Sequence, residues 1–430
     1  MQKIKLKWQN PLNFAQKVSD NYRDESWIFL YSGLSDKIKN SHSYIALFPE
    51  EKLITDNFCE AKRIVESSNK KWFGYLSYEV AQDFEKLPKS KKSFIDLPKI
   101  YLISFSLIFD FDHDKKILTA YFLDKDKMGE VLKYKAIKQK KNHIKVKKID
   151  SNFSDESYLQ TITDIQKNIS DGDFYQTNLT RKFFGEFDQK LDGQKNFQLF
   201  TRLTKFSPAN YSSFLKLNQN YIISSSPELF LEVKNRKVLS RPIKGTMPRD
   251  RNIKQDQKNR LTLKSSQKER AENLMIVDLV RNDLSKVCEA GSVEVKKLFA
   301  INSYRNVHHM SSEIHGKLTK NSTMLDVVKY CFPPGSMTGA PKVKAMEVAA
   351  KKEKINRGIY SGAIGFIDCN GEIKLSVVIR TLITHGKRFE FQTGGAITSD
   401  SNPRSELEEI FNKARGVTKI LQTDSIPTSP

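Results

Sequence analysis

Long apolar runs are missing from this 430-residue sequence; no stretch approaches the roughly 20 consecutive apolar residues of a membrane helix. Met1 to Phe14 alternates lysines with apolar residues and lacks the continuous apolar segment of a signal peptide. Cysteine is scarce. Cys59, Cys288, Cys331 and Cys369 show no paired spacing, which excludes a disulfide framework and a CxxC zinc pattern and suits free thiols in a reducing cytoplasm. No internal repeat at a fixed period is present. Negative charge is in deficit: 50 Asp and Glu face 72 Lys and Arg, a net charge of +22. The lysines are spread along the chain and are not interleaved with aromatics as a nucleic-acid stacking surface requires. Solvated faces are therefore expected, with neither nucleic acid nor membrane as a partner. An electropositive funnel for a dianionic small molecule is compatible with the charge.

What is present supports an ordinary packed core, with 38% hydrophobic residues. Trp27 to Ser32, Tyr44 to Phe48 and Tyr101 to Phe111 read as strands, and Lys71 to Pro88 begins as a strand and ends as a loop. From Asp124 to Ser154 the composition turns to Lys, Asp and Asn, predicting a linker or an exposed helical hairpin; the densest basic run, Lys138 to Lys148, falls there. Gln267 to Cys288 places Leu274, Val277, Val280, Leu284 and Val287 at helical spacing, and the added Met275, Ile276 and Leu279 predict burial on most sides. Ile359 to Ile367 runs through an Asn370-Gly371 hairpin turn into Glu372 to Thr384, read as one alternating strand, followed by Arg388 to Thr393. A last helix opens at Asn402-Pro403 and buries Leu407, Ile410, Ala414, Val417 and Leu421. The fold class is α+β, with residues 1–150 as an N-terminal domain with linker and 151–425 as the catalytic domain.

Several residues could carry chemistry. Glu406 and Glu409 lie three apart on one helix, and Glu272 starts another; three carboxylates would suit magnesium. On spacing alone, a Glu409–Lys413 pair at i, i+4 and a first-turn Glu272 facing the helix dipole is the favoured reading. Pro333 to Lys342 and Gly394-Gly395 could present backbone N–H groups to an anion, but the first lacks the spacing of a phosphate loop. Of the adjacent His308 and His309, at most one serves a given site, since neighbours on a strand face opposite ways. Lys244, inside RPIKGTMPR, is a nucleophile if desolvated and otherwise one solvated lysine among many.

Together these segments resemble the chorismate-binding enzymes. The resemblance is carried by GDFYQTNL (172–179), SSPELFL (225–231), PIKGT (242–246), ERAENLMIVDLVRNDL (269–284), VHHMSSEIHG (307–316), PPGSMTGAPKVKAME (333–347), RGIYSGAIGF (357–366), VIRT (378–381) and the ExxExxxKA ending (406–414). The N-terminal third fits more loosely, through LYSG (30–33) and WFGYLSYE (72–79). The implied fold packs antiparallel sheets in a sandwich with flanking helices.

Within the family, the water-using isochorismate and salicylate synthases have a lysine base where this chain has Gln176, so the resemblance implies ammonia as the nucleophile. Lysine at position 244 resembles the aminodeoxychorismate synthases; anthranilate synthases, the alternative, usually have alanine there and aminate C2 directly. The implied mechanism is attack of Lys244 at C2 with loss of the C4 hydroxyl, then ammonia at C4. The resemblance further implies Glu228 as general acid, and Glu272, Glu409 and nearby Glu406 as magnesium ligands in place of the spacing-only reading. It implies Tyr360 and Arg380 as the grip on the enolpyruvyl carboxylate, Gly394 and Gly395 as backbone donors, Gly245 and Thr246 as substrate contacts and His309 beside the ring. Ala396 departs from a common glycine. No cysteine nucleophile elbow with a histidine is present, so a separate glutamine amidotransferase subunit is the expected ammonia source, with chorismate as substrate. No lyase domain fits after Lys413.

Overall fold

Successive side chains of the strand Trp27–Tyr31 enter two different cores: Trp27 and Phe29 join one apolar cluster and Ile28 another, as the two-residue period of a strand requires. The computed structural model describes residues 1–34, 40–137, 144–304 and 307–421. Among them are twenty strands and ten α-helices. Residues 138–143 of the expected basic run Lys138 to Lys148 and the last residues of the expected catalytic domain, 422–425, lie outside the described residues.

All pairings between these strands are antiparallel, and they run without interruption. From Val146–Ser151 the order passes through Gln176–Phe187, Arg388–Ile397, Thr381–His385, Asn220–Ser226, Tyr211–Leu217, Trp27–Tyr31 and His42–Thr55 to Ile100–Asp112. There it forks. One arm takes Ile117–Phe122 and Gln2–Leu6. The other continues through Lys71–Leu76, Ala363–Asp368, Glu372–Val377, Leu229–Lys234 and Lys237–Arg241 to Val307–Lys317, which also pairs with Ile243–Pro248 and Glu294–Ser303. Strands from 1–150 and from 151–425 thus pair with one another at three places: Val146–Ser151 with Gln176–Phe187, Trp27–Tyr31 with Tyr211–Leu217 and Lys71–Leu76 with Ala363–Asp368.

The third core contains no helical residue: Ile28, Leu215 and Ile222 meet Phe73, Tyr75, Ile364 and Phe366, sheet face against sheet face. Helices cover the outer faces. Pro11–Asn21, Asp155–Ser170, Gly193–Phe206 and Pro403–Leu421 close the first cluster, and Phe58–Ser67, Gln267–Ser285 and Met324–Cys331 the second. No helix among the described residues is long and apolar enough to cross a membrane.

Four local expectations change. The stretch from 124 to 154 is not a helical hairpin: it forms the short helix Lys125–Leu132 and then the strand Val146–Ser151, which completes the sheet beside Gln176–Phe187. The expected strand Glu372 to Thr384 is broken in two. Arg380, at φ 52°, turns the chain so that Glu372–Val377 and Thr381–His385 pair with different partners. Alternation cannot reveal this, because both halves keep apolar residues inward. Likewise the strand predicted from Ile359 starts only at Ala363, after a turn in which Ser361 has φ 66°. Finally, the helix Gln267–Ser285 buries Ile276, Val277, Val280 and Leu284, but Leu274 is 44% exposed and Met275 and Leu279 are half-buried.

Candidate functional site

Two of the expected site residues stand at the breaks just described. Arg380 occupies one, and Tyr360 lies in the turn before the strand that starts at Ala363. Tyr360 is 6% exposed, and its acidity is suppressed by burial. The Arg380 guanidinium is weakened as a base by burial, and its Nη1 lies 3.5 Å from the Ser207 hydroxyl.

Glu228 lies between the strands Asn220–Ser226 and Leu229–Lys234 and is 4% exposed. Burial pushes its carboxyl up to about 7, against the opposing pull of the Ser336 hydrogen bond and the Lys244 and Lys413 charges. The Ser336 hydroxyl donates to Glu228 Oε1 at 2.6 Å. A carboxyl poised there is half protonated near neutrality, the condition for a general acid.

Lys244 is half-buried on Ile243–Pro248. The ladder to Val307–Lys317 shifts register between Ile243 and Thr246, so Lys244 and Gly245 form an irregularity in which Gly245 has φ 91°. A side chain at Gly245 would be strained by that φ and would meet Glu269 Oε2 at 2.9 Å. Opposite, His309 is buried with Nδ1 2.9 Å from Thr246 Oγ1. Burial, with Arg380 nearby, lowers the imidazole to about 3, so it is neutral at physiological pH. His308 faces the other way, onto Asp256 at 3.0 Å.

Gln176 begins its strand at 1% exposure, and its Oε1 has no hydrogen-bond partner among the described residues. Gly394 and Gly395 pair with Thr180 and Leu179 of the same strand. A Cβ at Gly394 would come 2.6 Å from the backbone Leu179 O, which requires the absence of a side chain there, whereas one at Gly395 would meet only the end of the Glu406 side chain, Oε2, at 2.9 Å.

The acidic residues converge from two helices. Glu269 is held above the usual carboxylate range by burial and then by Glu272 and Glu409. Glu406 is raised by burial and by Glu409, accepts from Ser401 Oγ at 2.8 Å, and keeps a buried Oε2 with no partner among the described residues. Glu409 is lowered chiefly by Lys413, 2.7 Å away, the i, i+4 pair that spacing alone suggested. Lys413 also donates to Gly394 O at 3.0 Å, and Lys268 lies 3.7 Å from Glu406. Among the described residues no three such groups are close enough, as placed, to hold an ion.

Contacts or mutual electrostatic influence join Glu228 to Lys244 and Tyr360, His309 to Thr246 and Arg380, and Glu269 to Glu272 and Glu409, whereas His308 faces away. Two groups beside these were missed: Glu269 and Ser336. Glu269 had a signal, being three residues before Glu272 on one helix face; Ser336 had none in its spacing.

The family model described as chorismate binding enzyme matches residues 20–419. The chain is 33% identical over 350 residues to aminodeoxychorismate synthase component 1 of Escherichia coli K12, covering 81% of this chain and 76% of that one. It is 41% identical over 272 residues to the probable chloroplastic aminodeoxychorismate synthase of Oryza sativa subsp. japonica, covering 63% of this chain but only 30% of that longer protein. The crystal structure of anthranilate synthase component I from Streptococcus pneumoniae superposes with a TM-score of 0.79 at 25% identity, over 89% of this chain and 93% of that one.

Proposed function

The chain belongs to the chorismate-binding enzymes, and from that premise we propose that it is the synthase component that converts chorismate and ammonia to 4-amino-4-deoxychorismate. The observation that carries this reading is Lys244, half-buried in a ladder irregularity, electrostatically coupled to the buried Glu228 carboxyl. The Lys244 amine nitrogen attacks C2; the ring double bonds shift and the C4 hydroxyl departs as water, taking its proton from Glu228. Ammonia then attacks C4, the double bonds shift back, and the C2–nitrogen bond to Lys244 breaks. The Glu228 carboxylate accepts the proton released by the attacking nitrogen. One difficult substitution becomes two easier ones.

Gln176 supports ammonia over water as the nucleophile, because a buried neutral amide cannot deprotonate water. Neutral His309 stands beside the ring, held by Thr246. Arg380 and Tyr360 grip the enolpyruvyl carboxylate, a contact suited to a planar guanidinium, and the backbone at Gly245, Gly394 and Gly395 leaves room for the substrate.

Glu272, Glu406 and Glu409 are the residues that would hold magnesium, with Glu269 facing them. The support is the chemistry of the donor set: like charges on two helices, offset by Lys268, Lys413 and Lys244, and a buried Glu406 oxygen with no hydrogen-bond partner among the described residues. When bound, magnesium supplies positive charge for the ring carboxylate. A separate glutamine amidotransferase is the ammonia source, in keeping with relatives named component 1. The four free cysteines fit the cytoplasm.

The test is product analysis with chorismate, magnesium and ammonium. Accumulation of 4-amino-4-deoxychorismate supports the reading, and anthranilate as the sole product overturns it. Lys244→Ala should lose most amination at C4; an unchanged product and rate would refute the covalent role.

A further inference from the structure

Arg357 lies in a wholly buried position behind the site, 2% exposed, and touches none of the reacting groups. Its guanidinium makes five hydrogen bonds. Nε and Nη2 grip the two Glu353 carboxylate oxygens at 2.9 and 2.7 Å; Nη1 donates to Met337 O at 2.8 Å and to Ser361 Oγ at 3.4 Å; Nη2 donates to Asn178 O at 2.7 Å. The planar fork thus joins four separate segments, which a lysine with its single nitrogen cannot do. Glu353 in turn accepts from Thr180 N at 2.9 Å, and the Tyr78 ring lies 4.5 Å from the guanidinium carbon. The backbone N–H of Arg357 donates to Glu79 at 2.7 Å.

The segments so joined are those that carry the chemistry. Met337 follows Ser336, the donor to Glu228. Asn178 is two residues after Gln176 on the same strand and donates through Nδ2 to the same Met337 carbonyl at 3.3 Å. Ser361 follows Tyr360. Neither carbonyl can turn toward water, since both are buried; without Arg357 each would lose a charge-assisted partner.

We propose that Arg357 is a positioning residue for the amination: by gripping the Met337 and Asn178 carbonyls it holds the Ser336 hydroxyl on the Glu228 carboxyl and orients the strand that presents Gln176. The inference rests on Glu228 being the general acid of the proposed function. The groups facing Glu228 are the Ser336 hydroxyl, Lys244, Lys413 and the Tyr360 phenol, with Asp283 lining the small cavity beside it. Ser336 is the one among them that Arg357 holds through a neighbouring carbonyl.

The experiment follows kcat/KM against pH with chorismate and ammonium, because that ratio reports the free enzyme's essential groups. The Ser336 bond favours ionised Glu228, so losing it raises the carboxyl further and moves the alkaline limb upward. Ser336→Ala is expected to move the limb up by about one pH unit. Arg357→Lys should move it in the same direction, and the double variant no further than Ser336→Ala alone. Glu353→Gln, which loosens the guanidinium without removing it, is a second variant expected to shift the limb the same way if Arg357→Lys does not fold. A folded Arg357→Lys or Glu353→Gln protein with lowered activity and an unmoved limb overturns the proposal. Failure of the underlying reading looks different: Glu228→Gln would then retain the wild-type limb, whatever the Arg357 variants do.

Discussion

The Ser336 hydroxyl and the Glu228 carboxyl are 2.6 Å apart, and both residues are buried. Burial and this bond act in opposite directions on the same proton, and burial wins, leaving the acid near 7. Amination should therefore fall as pH rises above about 7, where the proton needed by the departing hydroxyl is gone. Glu228→Gln should cut kcat/KM by at least about 100-fold, the lower range for a general acid. Steady-state kinetics from pH 5.5 to 9 checks both; a wild-type profile flat across neutrality would remove Glu228 from that role.

Gln176 is buried with a free acceptor oxygen. Gln176→Lys puts a potential base into a water-poor pocket, where a desolvated amine gives up its proton more easily. Amination should drop, and oxygen from labelled water should enter a ring product. Mass spectrometry in ¹⁸O water decides: undiminished amination with no label would count against selection of the nucleophile at this position.

Lys182 and Glu390 form a pair 3.2 Å apart with 1% and 2% side-chain exposure, and the lysine also donates to Ser93 Oγ at 2.7 Å. Removing one partner strands a buried charge. Lys182→Met should cost about 3 to 5 kcal/mol, and Lys182→Met with Glu390→Leu should recover much of it. Denaturant unfolding of the three proteins gives the comparison; a single variant as stable as the wild type contradicts it.

Glu79 is buried, and burial lifts its carboxyl from the ordinary 4.5 to about 7 despite Lys182 and Arg357 nearby. The folded state therefore holds a proton that the unfolded state releases between 4.5 and 7. Its ionisation costs nothing below 4.5, and the cost grows through that window to a plateau above 7, about 3 kcal/mol at most. Glu79→Gln should flatten the decline in Tm between pH 4.5 and 7 and melt higher than the wild type at pH 8. Calorimetry at several pH values tests it, and parallel curves for the two proteins would refute it.

Much of this was legible in the chain. Strand alternation around Trp27 and Tyr101, the final helix from Asn402-Pro403 and the ordered motifs from 172 to 414 all survive into the structure, because each depends on residues close in sequence. The strand at Val146–Ser151 was not legible, since Lys147, Lys148 and Asp150 mask it and only pairing with Gln176–Phe187 makes it a strand. Leu274 sits at a stripe position yet is exposed, because the helix packs through its Ile276, Val277 and Val280 face.

By itself the sequence determined the residue types at the site, their order, and the local periodicities that make strands and helices. Only the tertiary structure decided that Arg380 and Tyr360 sit at breaks rather than within strands, since a chain turn at φ 52° depends on which partners each half pairs with. It also decided that Ser336 and Glu269 lie beside Glu228 and Glu272 and that Arg357 spends all its donors behind them. Desolvation, which sets the acidity of Glu228 and His309, comes from residues far away in the chain, so no local pattern could have carried it.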